Sequence, residues 1–298
     1  MTGAVGGSRP DAVQLAIAHV RALSSGAPLP RTARVVLHFH PDRLVDGRPI
    51  LAAMAADGRY RSQFETGTSN GGLTAHPGGD RWRWESRIFG GAYDDAPAEL
   101  RPKYGGLDTG GRPAGPAPRF GSAHLRLTEA ALDRSTFCFP DSALEPQHFA
   151  TADAYGVEPL QRAVHEAAAD STDEEGPDPL DGYVEAHVHG PVRLPADAEA
   201  LVLDPSHRGT QVEALAAATG IRVEWHPGYR LTVDELRRHP AYRGPEYVDL
   251  GERLAEGGVL TPRVIGDAAR TGRYDEQDLK RVWHLMARFG LTPLTPPG

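Results

Sequence analysis

The 298-residue chain predicts an α+β fold on three observations. Two stretches, 34–40 and 181–190, alternate apolar and polar residues at the period of a β-strand. Helical patterns dominate after residue 206, with few strand signals among them. Glycine (34) and proline (26) are abundant, which favours strands and long loops over a helical bundle. The expected organisation is an N-terminal helix in 1–29, an α+β core in 30–205 and a mostly helical C-terminal lobe in 206–298.

In chain order, Ser8 to Asp11 resembles a capping box opening a helix whose apolar side is Val13, Leu15, Ile17, Val20 and Leu23, stopped by Gly26. Arg34 to His40 is the first strand. Ile50, Leu51 and Met54 then lie on a short alanine-rich helix ending at Gly58. Tyr60 to Phe64 can extend, and 65–72 collects hydroxyls and glycines in a loop able to meet phosphate or ribose. Arg81 to Glu85 alternates charge and indole, as a partly exposed strand would.

From Asp94 to Pro118 glycine and proline are dense, so a long functional or disordered loop is expected there. His124–Thr128 and Ser135–Phe139 read as a strand pair, and Val157–Ala169 as a helix followed by an acidic connection, Asp170–Pro179. After the strand at Asp181–Gly190 come a short apolar strand at Ala200–Leu203, a helix at Gln211–Thr219 and a strand at Ile221–Trp225. A Thr232-x-x-Glu235 capping box opens another helix. Further helices fit Glu246–Ala255, Pro262–Arg270 capped by Thr261, and Glu276–Arg288.

Composition narrows the function. A net charge of −8 argues against a dedicated nucleic-acid binder. Cys138 is the only cysteine, so neither an internal disulfide nor a cysteine metal cluster is possible. No signal-peptide pattern and no membrane-length apolar run is present, and a cytoplasmic protein, or one delivered by a partner system, is expected, with no membrane partner.

The two alternating strands carry the chemistry. In one, Val35, Leu37 and Phe39 form an apolar back while His38 and His40 point together to the other side. In the second, Val184, Ala186 and Val188 oppose Tyr183, Glu185, His187 and His189. A polar side simply facing water is the plain reading of either strand alone. Two such strands in one sheet would put four histidines and a glutamate on one wall, which makes a candidate site.

The order Leu37-His38-Phe39-His40-Pro41, then Thr66 to Asn70 with Tyr104, then Tyr183 to His189 resembles the ADP-ribosyltransferase fold over about residues 30 to 205. That family sets a histidine or arginine at the end of an early strand, an aromatic or Ser/Thr segment in the middle and a glutamate on a later strand. The resemblance implies a split β-sheet core and NAD as substrate. Glu185 would stabilise the oxocarbenium-like transition state, while His38, His40, Thr68, Ser69, Asn70, Tyr104, Tyr183 and His187 would contact NAD, without a metal. The acceptor of ADP-ribose (protein, nucleic acid or small molecule) is left open, as is hydrolysis of NAD by water. Tyr183 stands where arginine-modifying members carry a Glu or Gln, which counts against arginine as acceptor. The motifs His38 to Asp42, Arg101 to Gly105 and Val184 to Gly190 also resemble a bacterial family of unknown function.

Two alternatives stand beside this reading. His-x-His at a strand end also begins zinc sites, so the His38/His40 and His187/His189 pairs could serve a metal-dependent hydrolase. A non-catalytic binding protein is the other.

Overall fold

The computed structural model describes residues 11–67, 75–170 and 178–292. Its centre is an eight-stranded sheet built from β1 (Arg34–Phe39), β2 (Lys103–Asp108), β3 (Ala123–Leu127), β4 (Ser135–Phe139), β5 (His148–Thr151), β6 (Glu185–Val188), β7 (Ala198–Leu203) and β8 (Val223–Trp225). Their order across the sheet is β8-β7-β3-β1-β2-β6-β4-β5. Neighbours run antiparallel except β7 and β8. The fold is thus mixed α and β as expected, and these eight strands form one continuous main sheet, with three two-stranded sheets beside it among the described residues.

The alternation works as the sequence implies. Val35, Leu37, Phe39, Leu125, Phe137, Val184, Ala186, Val188, Leu201 and Leu203 share the main apolar core, packed under α2 (Ile50–Asp57) and α5 (Gln211–Ala218) through Leu51, Met54, Val212 and Ala216. The other face is polar. Register aligns Gly106 with Glu185 and Glu185 with Cys138 in one cross-strand row, and Tyr104 with His187 and His187 with Thr136 in the next.

Three expectations are corrected. Arg81 to Glu85 lies within a helix, α3 (Asp80–Ile88), because the inward positions are Arg81, Glu85 and Ile88 at helical spacing and two of them are charged. The glycine-rich stretch after Asp94 contains β2, a central strand whose neighbours demand glycine. A Cβ on Gly105 would stand 2.3 Å from the Val36 carbonyl oxygen, and one on Gly106 2.8 Å from Pro116. Finally, β3 and β4 are both strands but do not pair, since β3 lies between β7 and β1 whereas β4 lies between β6 and β5.

Helix α1 (Ala12–Leu23) begins at Asp11, whose side chain accepts from Val13 N–H. Ser8 falls outside the described residues, as does most of the acidic connection after α4 (Glu158–Asp170). Ala16 and Val20 of α1 pack with Ile88, Phe89 and Tyr93. A second core gathers α6 (Pro245–Leu254), α7 (Pro262–Arg270) and α8 (Glu276–Phe289) with Tyr229, Leu231 and Leu236. α5 and β8 pack with the sheet's core through Val212, Ala216 and Trp225, and the residues of this second core from the C-terminal part of the chain begin at Tyr229. It meets the sheet body where Trp283 Nε1 donates to the Pro118 carbonyl at 2.9 Å and the Trp283 ring stands edge-on to His40. Among the described residues, no helix is long and apolar enough to cross a membrane.

Candidate active site

Three adjacent strands carry the named residues toward one place. A cleft of about 130 Å³ is lined by His38 of β1, Tyr104 of β2 and Glu185 of β6, with Tyr183, Arg81, Trp84 and Ser142 around them. A larger cavity of about 610 Å³ contains His40, Arg43, Arg59, Arg61 and Arg270 in its wall and shares Tyr60, Gln63 and Tyr104 with the first. The larger volume is in the usual range for small-molecule sites, ~300–1,000 Å³.

Glu185 is 5% exposed and richly held. It accepts from His187 Nε2 at 2.8 Å and from Ser142 Oγ at 3.2 Å, and the Cys138 thiol points to it at 3.8 Å. Burial pushes the Glu185 carboxyl up, yet the His187 hydrogen bond, the charge of Arg81 and the Ser142 hydroxyl together hold it below its ordinary value. It is therefore an anion at neutral pH. Burial and the adjacent Glu185 charge push the Cys138 thiol well up, so it stays protonated.

The floor of the cleft is built by charge inside the protein. Arg81 donates to Ser142 Oγ at 3.4 Å and lies over the Tyr104 ring at 4.2 Å and the Trp84 ring at 5.2 Å. Its Nε is buried without a hydrogen-bond partner. Tyr104 donates to Glu85 at 3.1 Å, and Glu85 pairs with Arg101. Sequence reasoning missed Arg81, Glu85 and Ser142. The spacing of Arg81, Glu85 and Ile88 was the available signal, hidden because a buried helix face is expected to be apolar.

The expected residues divide into groups. His38, Tyr104, Tyr183 and Glu185 meet around the smaller cleft. His38 is fixed from both sides, its Nδ1 3.2 Å from the Gly121 carbonyl and its Nε2 accepting from Ala117 N–H at 3.3 Å. Burial lowers its pKa to about 4, so it is neutral. Tyr183 donates to Asp141 at 2.7 Å. His40 opens into the larger cavity instead, and His187 and His189 are fully buried behind Glu185. Thr68, Ser69 and Asn70 lie outside the described residues, while Thr66 and Gly67 line the larger cavity.

The two histidine pairs do not converge as metal ligands. One group of metal-type donors does come together among the described residues, Cys138, Glu185 and His187, with donor atoms within 4.8 Å of one another. It includes neither His38 nor His40.

A protein family described as "Protein of unknown function (DUF3626)" matches residues 34–158 and 154–289, a span that takes in both the sheet and the helical body. No curated protein matches the chain. The chain belongs to the DUF3626 family.

Proposed function

We propose that this member of the family cleaves the nicotinamide–ribose bond of NAD, as an ADP-ribosyltransferase or an NAD glycohydrolase. The observation that carries the reading is the adjacency of β1, β2 and β6, which turns His38, Tyr104 and an anionic Glu185 into one cleft. These are the pieces, in chain order, of the ADP-ribosyltransferase resemblance.

Breaking that bond develops positive charge on the ribose. A carboxylate already desolvated and aimed by two hydrogen bonds stabilises that charge chiefly in the transition state. Tyr104 and Trp84 offer aromatic walls for the nicotinamide ring. The ADP portion would occupy the larger cavity, where His40 and the guanidinium groups of Arg43 and Arg270 can meet a diphosphate. His38 has both ring nitrogens engaged with the backbone, so contact with the adenosine side is assigned to His40. Water and a second molecule remain the two possible acceptors.

The test is nicotinamide release by purified protein. Glu185→Gln keeps size and hydrogen-bonding capacity and removes the charge, so NAD binding should persist while release falls about a hundredfold or more, on the order of 3 kcal/mol. His40→Ala should weaken binding instead. Unchanged release in Glu185→Gln overturns the reading, and absence of NAD binding by the unmodified protein leaves a non-catalytic binding protein.

A further inference from the structure

Behind Glu185 the polar side chains continue without a break into the protein. Tyr93 Oη stands 2.7 Å from His189 Nδ1, and His189 Nε2 stands 2.9 Å from Thr136 Oγ1. Thr136 Oγ1 is 3.2 Å from His187 Nδ1, and His187 Nε2 is 2.8 Å from Glu185 Oε1. Tyr93, Thr136, His187 and His189 are all fully buried. Phe89 seals the group, meeting Tyr93, His187 and His189 edge-on.

The chemistry of the end group orients every proton in this chain. An ionised carboxylate only accepts, so His187 Nε2 carries a hydrogen. With one proton on that ring, Nδ1 accepts and Thr136 donates to it. The Thr136 oxygen is left to accept from His189 Nε2–H, and His189 Nδ1 to accept from the Tyr93 hydroxyl. In that direction every donor and acceptor along the line is satisfied.

The opposite direction fails at both ends. It needs a proton on Glu185 or a second one on His187, and it makes the Tyr93 oxygen an acceptor whose own hydrogen has no other hydrogen-bond partner among the described residues, beside Phe89. Nearby cations do not intrude on the line. Arg134 donates to the His189 carbonyl and to Asp197, and Lys103 donates to the carbonyls of Glu99, Arg101 and Gly190. Arg81 acts on the other side of Glu185, through Ser142.

We propose that Thr136, His189 and Tyr93 are positioning residues: they lock His187 as the Nε2–H tautomer and so hold Glu185 as an oriented carboxylate facing the cleft. The consequence for turnover rests on the NAD reading; the proton arrangement does not. Sequence alone could not assign this, because Thr136 and Tyr93 are 43 residues apart in the chain and neither belongs to the His-x-His pattern.

The experiment is nitrogen NMR of protein with ¹⁵N-labelled histidine, which separates protonated from unprotonated ring nitrogens. In the unmodified protein, at pH 7, both His187 and His189 should carry hydrogen on Nε2 and none on Nδ1. Hydrogen on His187 Nδ1 overturns the proposal outright, and no variant need fold for that result. Thr136→Val is near-isosteric and deletes the link, whereas Thr136→Ser retains it. The Val variant should lose the single His187 tautomer and lower kcat for nicotinamide release by roughly tenfold or more with little change in KM, and the Ser variant should restore both. An unaltered His187 tautomer in the Val variant removes the positioning role. If the unmodified protein binds NAD but releases no nicotinamide, the NAD reading fails while the tautomer measurements still decide this one.

Discussion

Arg101 and Glu85 meet 2.6 Å apart with their side chains 4% and 0% exposed. Arg101 also donates to the Tyr93 carbonyl at 2.7 Å, and Glu85 accepts from Tyr104 at 3.1 Å. The pair therefore ties α3 to β2, and Arg81 of that helix lies over the Tyr104 ring as a result.

Removing one partner leaves the other charge buried and alone. Arg101→Ala should destabilise the protein by about 3–5 kcal/mol, read from urea unfolding. Replacing both Arg101 and Glu85 by methionine should recover most of that loss, since the uncompensated charge is gone. A double variant as unstable as the single one would show that packing, not charge, holds the joint.

Glu85 has a second consequence for stability against pH. Burial raises its pKa to about 7 despite Arg101, Arg81 and Tyr104, from an ordinary 4.5. Between those values the folded protein keeps a proton that the unfolded chain has released, so this group's contribution falls as pH rises from about 4.5 to 7 and is level above. Glu85→Gln should remove that fall, which amounts to up to about 3 kcal/mol. The check is the difference between the unfolding free energies of the two proteins across that window; parallel curves would refute it.

Gly105 lies in β2 against β1, and a methyl group there meets the Val36 carbonyl and Leu37. Gly105→Ala should cost about 1–3 kcal/mol or more, because a central strand cannot move away without parting from its other neighbour. Gly110→Ala, where added carbon meets nothing within 4 Å, is the control, and equal melting temperatures for the two would sink the argument.

How far the site could be read in advance depended on whether a residue followed the pattern of its element. His38 and Glu185 did, because each alternates with apolar neighbours that enter the core, and the C-terminal helices announced themselves through caps such as Thr261, which accepts from Val264 N–H. β2 did not, since its Gly105-Gly106 pair looks like a turn until the neighbouring strand and Pro116 are in place. α3 was hidden for the reverse reason, an inward face bearing Arg81 and Glu85. Ser142 sits on a short 3-10 turn, Ser142–Leu144, and reaches Glu185 only across 43 residues of chain. Such pairings are made by tertiary packing and leave no periodicity to detect.

Trp283 belongs to α8, yet its indole is hydrogen-bonded to Pro118, next to Ala117, whose amide holds His38. Lys280, one turn earlier on the same helix, reaches the smaller cleft. Cutting the chain between its two cores would thus unmoor the segment that steadies His38. Shuffling either half onto an unrelated partner would transplant strands without their clasp.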